Sequence, residues 1–556
     1  MNLRTVANDA GFEATRRFKR SLVASRPDLQ PSARRKNLQD SNVPLYPCID
    51  SQGMNVKSVA EIRREYGRIV ATGGGGDESV SIEQLVTVRG RIRNYRDVSS
   101  KLIFYDLVQD GEKLQVVVNC ARVGGEREEF RRISMLTRIG DVVSVTGYPG
   151  RTKAGELSIF ATAHLQLLAP SLHAPPQAIL DPETRFQNRH VDLMIRPEAG
   201  QILRLRSHII QHIRDFFISR DFVEVQTPIL SDTFGGAVAK PFLTEATSTY
   251  RGKQLTLRVA PELWLKRLVI GGLDRVFEIG AQFRNEGIDN THNPEFTTCE
   301  FYQAYMGLED IISTTEQLLS GMARRVLELK ATKLKDLPEI ATDFTAPFQR
   351  LEFIPTLEAA MGHKLPILHG STEVVTLELL SLFKILSLPP PPILTIPRLL
   401  GKLSSAYLEP QCMAPTFITN HPEALSPLSK TSLVHNQRVS LRVELFVGGK
   451  ELVNAYEEEN SPTEQRRKFV MQAGWKDEDV IGGGEDGKGV VDEAYCQALE
   501  WGLPPTGGWG IGIDRLVMIF AGAERITEVL AFGGLRGAVN LGSGARDAKK
   551  EGEEGE

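Results

Sequence analysis

The 556-residue chain has few cysteines, no long apolar run and no excess of one charge. Its five cysteines, Cys48, Cys120, Cys299, Cys412 and Cys496, are far apart, with no Cys-x-x-Cys pair and no histidine cluster at zinc spacing. That pattern excludes a zinc ribbon or a disulfide scaffold and implies reduced thiols in an intracellular protein. The most apolar stretch, residues 377–388, is broken by Glu378 and Lys384 and falls short of the ~20 residues a bilayer demands, so a soluble chain with no membrane partner is expected. Lys+Arg 66 against Asp+Glu 70 gives a net charge of -4, which excludes a general electrostatic nucleic-acid binder; any RNA contact must come from local basic patches. With 41% hydrophobic residues the chain can bury a large core, and its length implies two or more domains.

The first forty residues hold Arg4, Arg16, Arg17, Lys19, Arg20, Arg26, Arg34, Arg35 and Lys36 against Asp9, Glu13, Asp28 and Asp40. An Arg-rich, Ser-containing start favours a mitochondrial (matrix) address; the alternative is a basic arm on RNA phosphates in a cytoplasmic protein. Residues 40–82 end in the run Gly73–Gly76 and read as a linker. Short β-rich runs then begin at Val86, Leu102, Leu114, Val142 and Leu157, with a helical stretch at 126–136. Five strands in about eighty residues predict a small barrel, an OB-fold or an SH3-like one.

Leu203, Leu205, Ile209, Ile210, Ile213, Phe216 and Phe217 form one helical stripe running into a strand at 222–225 and stopping at Pro228. Further strands are expected at 255–260, 276–280, 297–302, 440–447, 451–456 and 508–511, mostly as antiparallel hairpins. Residues 308–410 read as helical or irregular, with Pro389–Pro392 a rigid connector.

Two segments carry chemistry. Residues 283–302 are dense in groups able to grip a nucleotide, since Arg284 offers a fixed fork to phosphate or carboxylate and an aromatic face can stack on a base. By itself this is equally an ordinary surface hairpin. Gly507–Arg515 lets backbone approach a ligand and sets an arginine at a helix start, although a glycine-rich turn alone is weak. Gly448–Gly449 marks a two-residue hairpin whose ideal pairing sets Glu444 opposite Val453, making Glu444 and Glu451 diagonal neighbours. Two carboxylates so close repel unless a hard cation such as Mg²⁺ sits between them; the bland reading is a solvent-facing acidic hairpin.

Together these segments resemble motifs 2 and 3 of the class II aminoacyl-tRNA synthetases, and residues 209–228 resemble motif 1. Gly235–Phe242, Ala260–Leu263, Thr291–Glu300 and Gly502–Thr506 are similar nearly word for word to lysyl-tRNA synthetases, mitochondrial-type eukaryotic forms included, over roughly Val86–Leu530. The resemblance implies an α+β chain: a basic extension and linker (1–82), an OB-fold anticodon-binding domain (83–170), a class II catalytic domain with an antiparallel sheet flanked by helices (171–535) and a flexible tail (536–556). It implies a homodimer that joins lysine to tRNA(Lys) with ATP and Mg²⁺.

By the same resemblance Glu300, Tyr302 and Glu458 would hold the lysine ε-ammonium and Glu262 and Gly236 the α-amino group, with Asn454 and Tyr456 in the same pocket. Arg284 and Arg515 would be catalytic, on the α- and γ-phosphates. Glu286 would take the adenine edge, Phe296 the ring, His292 and Asn293 the remaining phosphates, and Glu444 and Glu451 the metal. Simple alternation puts Asn454, Tyr456 and Glu458 opposite Glu451, so a bulge near Leu452–Val453 is expected. In the barrel, Phe104 and Gln115 match positions that meet anticodon bases, with Arg91 and Arg93 on adjoining phosphates; a core Phe104 is the competing reading. Relatives of aspartyl or asparaginyl type have Gln where Glu262 stands. Two departures are Phe532–Gly533, where Phe-Pro is usual, and the glycine-rich loop 482–489.

Overall fold

The computed structural model describes residues 30–41, 43–49, 52–68, 85–232, 235–236, 239–248, 251–473 and 491–533. Residues 1–29, the glycine run 73–76, loop 482–489 and the tail from 534 onward lie outside the described residues. The chain divides into two compact units, Met1–Ala178 and Ile179–Glu556. Among the described residues no helix is long and apolar enough to cross a membrane.

In the first unit β1 (Val86–Ser99), β2 (Leu102–Gln109), β3 (Glu112–Asn119), β4 (Val142–Arg151) and β5 (Leu157–Ala161) lie in the order β1-β2-β3-β5-β4. β1 pairs back onto β4 and closes the barrel, with helix Arg127–Leu136 between β3 and β4. Alternation explains the closure: Ile103, Tyr105 and Leu107 of β2 fill the core with Leu114, Val116 and Val118 of β3. A further strand, β6 (Gln166–Ala169), extends β4 and was not predicted.

The expected linker needs correction. Helix Pro31–Asp40 buries Leu38, and helix Val59–Tyr66, started by a Ser58/Glu61 capping box, buries Val59 and Ile62 in the barrel core. Arg34 is locked to Asp141 at 2.8 Å and to the Leu136 carbonyl at 2.7 Å, so it is a structural cation and not part of a solvated basic arm. Single apolar residues spaced by charges hid both helices from a compositional reading.

In the second unit the chain order is β7 (Val223–Glu224), the side sheet β8 (Leu230–Ser231), β9 (Leu243–Glu245) and β10 (Gln254–Leu257), then β11 (Arg275–Phe283) and β12 (Glu295–Ala304). There follow β13 (Gln349–Glu352), β14 (Thr416–Thr419), the ladder β15 (Thr431–Val434) and β16 (Gln437–Ser440), then β17 (Arg442–Val447), β18 (Lys450–Glu457) and β19 (Thr506–Gly512). Eight strands form the main sheet, β13-β14-β17-β18-β19-β12-β11-β7, antiparallel except at the two ends. The strand expected at 255–260 ends at Leu257 and joins the side sheet, and the run 440–447 is broken at Leu441 into β16 and β17.

Helix Pro197–Ile218 starts on a proline, whose missing N–H costs nothing at that position, and buries Ile202, Leu205, Ile209, Ile213 and Phe217 at three- and four-residue steps. Phe217 meets Phe222, Phe277, Phe301 and Trp509 at 5.1–5.9 Å, and burying one such ring contributes about 2–3 kcal/mol. Asp514 accepts from the Thr297 amide at 2.7 Å and pairs with Arg206, tying the helix after β19 to this helix and to β12. One face of the sheet is thereby fixed as core and the other left for chemistry.

Candidate active site

β19 decides the depth of that other face. Its odd members, Trp509 and Ile511, are buried in the core, while Gly508 and Gly510 line a cavity of about 520 Å³. Gly508 is flanked in register by Tyr302 and Tyr456, and Gly510 by Glu300 and Asn454. A Cβ at Gly508 would collide with Glu458 Oε1 and come within 2.6 Å of the Tyr302 ring. The floor is therefore bare backbone between two rows of polar side chains.

The β17–β18 hairpin delivers the second row. Gly448 and Gly449 both adopt positive φ, 60° and 70°, as a two-residue turn requires. A bulge falls at Leu452, where it was expected, so Glu444 pairs with Asn454, and not with Val453 as ideal pairing predicted. Since Glu451 pairs with Phe446, two residues from Glu444, the bulge turns Glu451 onto the face of Asn454 and Tyr456, and all three line the cavity.

At one end of the cavity lie acids. Glu262 and Lys266, one turn apart on helix Glu262–Ile270, are joined at 2.5 Å, and Lys266 also pairs with Glu458. Tyr456 donates to Glu262 at 2.7 Å. Glu300 accepts from Tyr302 at 3.3 Å and has no cation within ion-pairing distance among the described residues. Burial and the nearby Glu262 charge push its carboxyl up to about 8, against the pull of Arg284. Gly236, at φ 86°, sits where a Cβ would meet Glu262 Cβ at 2.9 Å.

At the other end lie cations. Arg284, at the start of the β11–β12 hairpin loop, stacks 5.0 Å over Phe296 and donates to the Val259 carbonyl at 3.4 Å; no carboxylate among the described residues pairs with it. Arg515 donates to the Glu451 carbonyl at 2.8 Å and lies 2.9 Å from His292 Nε2. Because a guanidinium only donates, His292 carries its proton on Nδ1 and gives it to Asp289 at 2.8 Å. Asn293 donates to the Glu295 carbonyl at 2.7 Å, and Glu286 stands at the exposed rim.

A second cavity of about 480 Å³ is lined by Glu444 and Glu451. Glu444 is held at about 2: burial opposes its charge, but Arg442 and then His421, at 2.9 Å, outweigh it. Burial and the Glu444 charge push Glu451 up to about 6. Among the described residues no group of three or more His, Cys, Asp or Glu is arranged for a metal, so any ion here completes its ligands from elsewhere.

Three residues were missed. Lys266 had a signal, the Glu-to-Lys spacing of four on a helix. Arg442, which donates to Asn454 at 2.8 Å and pairs with Glu444, had one too, the two-residue spacing that sets Arg442 and Glu444 on one face of β17; His421 had none, because its partner Glu444 lies on another element. In the barrel Phe104 projects outward, half-buried beneath Arg96 at 5.1 Å, and is not a core residue. Gln115 is buried and already donates to Glu156 at 2.9 Å; Arg91 donates to the Gly140 carbonyl at 2.5 Å and Arg93 sits at a bulge of β1.

A mainly antiparallel eight-stranded sheet, with the Arg284 hairpin and the Arg515 helix converging on one cavity and a five-stranded barrel encoded before it, is the architecture of a class II aminoacyl-tRNA synthetase. Comparison with known proteins agrees: residues 181–536 match the tRNA synthetases class II (D, K and N), and residues 86–166 match the OB-fold nucleic acid binding domain. The chain is 42% identical over 512 residues to the mitochondrial lysine–tRNA ligase of Schizosaccharomyces pombe, covering 90% of this chain and 92% of the relative. It is 44% identical over 473 residues to lysine–tRNA ligase cla4 of Cladosporium cladosporioides, covering 82% and 76%, and 42% identical over 461 residues to a probable cytoplasmic lysine–tRNA ligase of Encephalitozoon cuniculi, covering 81% and 87%. The chain belongs to the class II tRNA synthetases, in the lysine–tRNA ligase branch of that family.

Proposed function

We propose that the chain activates L-lysine with ATP, releasing pyrophosphate, and transfers the lysyl group to the 3′ end of tRNA(Lys), with residues 83–170 reading the anticodon and 171–535 catalysing. The observation that carries the choice of amino acid is Glu300: a cavity carboxyl without a cation calls for an ammonium group. An aspartyl or asparaginyl substrate brings its α-ammonium but no second, side-chain ammonium for Glu300.

The lysine carboxylate attacks the α-phosphate in line, so no protein nucleophile is needed; Cys299, the thiol nearest in sequence, is fully buried with its ionisation suppressed. Arg284, free of any partner carboxylate among the described residues, orients the carboxylate and offsets charge on the phosphate. Arg515 and His292 face the distal phosphates, Phe296 and Glu286 take the adenine, and Asn293 shapes the loop between. Gly236, Glu262, Asn454 and Tyr456 frame the amino-acid end. Glu444 and Glu451 fit Mg²⁺: both line one cavity, repel each other and offer hard oxygens that ATP phosphates would complete. When bound, the ion would neutralise phosphate charge.

The deciding experiment is amino-acid-dependent ATP–pyrophosphate exchange with lysine, aspartate or asparagine. Exchange with lysine alone is expected; exchange with either other amino acid would refute the pocket assignment, and none from a folded protein would favour a non-catalytic paralogue.

Phe104, Gln115, Arg91 and Arg93 serve the anticodon. Phe104→Ala should raise KM for tRNA roughly 10- to 100-fold, as loss of one stacked base implies, and leave ATP–pyrophosphate exchange unchanged; altered exchange would show the residue acting on the fold instead. A homodimer is supported by the exposed apolar residues Val223 on the edge strand β7 and Ile229 and Leu230 on the segment that runs from it into the side sheet. Sedimentation equilibrium giving a single-chain mass would refute it. Relatives carry both mitochondrial and cytoplasmic names, and the Arg-rich start favours a mitochondrial matrix address. A reporter carrying residues 1–40 that stays in the cytosol would count against it.

A further inference from the structure

Lys266 is a fully buried cation behind the amino-acid end of the cavity, where its partner Glu262 forms part of the wall, and neither phosphate chemistry nor folding of its helix asks for it. Its ammonium touches Glu262 and Glu458, both nearly inaccessible, and lies 5.7–5.8 Å from the centres of the Tyr302, Tyr456 and Tyr495 rings. Two carboxylates, Glu262 and Glu458, thus hold one resident lysine, and a third, Glu300, lines the same end of the cavity without touching it. The other charges nearby are occupied: Asp492 caps helix Glu493–Leu499 through the Tyr495 amide at 2.8 Å, Glu278 pairs with Arg258, and Arg284 and Glu451 belong to the nucleotide end.

We infer that Lys266 is a charge-balancing positioning residue: it cancels one of three carboxylates so that the pocket presents two net negative charges to a substrate carrying two ammonium groups. The arithmetic follows from the residues. With substrate bound and Glu300 ionised, three acids less one lysine leave two, and an α,ω-diamino acid brings two ammoniums, its carboxylate going to Arg284. Glu458 shows the consequence locally, since it has one oxygen toward Lys266 while Oε1 abuts Gly508 on the cavity floor without a hydrogen-bond donor. The inference rests on the lysine reading above but concerns a residue that reading does not use.

The test is sign-reversing. Lys266→Met leaves three acids for two ammoniums, and Glu458→Gln leaves one net charge for two. Each single variant should raise KM for lysine at least 30-fold with KM for ATP within twofold. The double variant Lys266→Met/Glu458→Gln restores two net charges and, leaving one unpaired acid (Glu262) where Lys266→Met leaves two, keeps the experiment informative if Lys266→Met alone does not fold. Its KM for lysine should be at least tenfold below that of Glu458→Gln. A double variant no better than Glu458→Gln overturns the inference, as does a folded Lys266→Met enzyme with unchanged KM for lysine. Wild-type protein that fails to exchange with lysine sinks the substrate assignment before any variant is compared, which keeps the two failures distinguishable.

Discussion

Replacing Arg284 by alanine should lower lysine-dependent ATP–pyrophosphate exchange by about three orders of magnitude while leaving the fold intact. In the proposed mechanism the guanidinium meets both reacting partners, and among the described residues no carboxylate competes for it. Its worth lies in the transition state, where charge gathers on the α-phosphate; losing one preorganised donor there costs about 3–4 kcal/mol. The effect should appear in kcat at saturating lysine and ATP, because the ground-state contacts of Glu262, Glu300 and Phe296 survive. Since the side chain makes no ion pair among the described residues, the melting temperature should hardly move. A loss confined to KM would mean Arg284 only binds, and an unchanged rate would remove it from the mechanism.

Glu300→Gln should raise KM for lysine roughly 30- to 1000-fold, the range for breaking a desolvated charge pair worth about 2–4 kcal/mol, and should also change the pH profile. In the free site the Glu300 carboxyl sits at about 8, raised by burial and by Glu262. An ammonium binds the ionised form, so the proton must leave first. Below pH 8 the ionised fraction drops roughly tenfold per pH unit, and kcat/KM for lysine should fall with it; the lysine ammonium itself, near pKa 10.4, stays charged throughout. At saturating ATP, wild-type kcat/KM for lysine should therefore climb from pH 6 to pH 8 and level off, whereas the glutamine variant should be flat across that range. A variant retaining the wild-type slope would assign the titration to another group.

How much of this was legible beforehand depended on whether a residue's partners lie near it in sequence. The stripe from Leu205 to Phe217 predicted its own helix, because helical period is a local property. The bulge at Leu452 was legible for a different reason: alternation alone would have set Glu451 and Asn454 on opposite faces, and the resemblance demanded one pocket. The register was still one residue off at Glu444, since ideal pairing has no way to count the extra residue. Packing of Leu38, Val59 and Ile62 onto the barrel was illegible, each being a lone apolar residue among charges whose counterpart stands far along the chain. Lys266 illustrates a third kind of blindness. A lysine at helical spacing from a glutamate reads as a surface pair, and only the tertiary fold reveals that it is sealed from water.

The bare floor at Gly508 and Gly510 bears on how this scaffold can change its substrate. A wall made of side chains can adapt to a new guest by a change of rotamer, but a floor made of peptide backbone has no rotamers to change. A methyl at Gly508 would collide with Glu458 and Tyr302, and one at Gly510 would press on Glu300 at 3.3 Å. Diversification is thereby steered to the rim: acids and aromatics on β12, β18 and helix Glu262–Ile270 can be exchanged to suit another amino acid, while Gly508 and Gly510 beneath them offer no side chain to exchange.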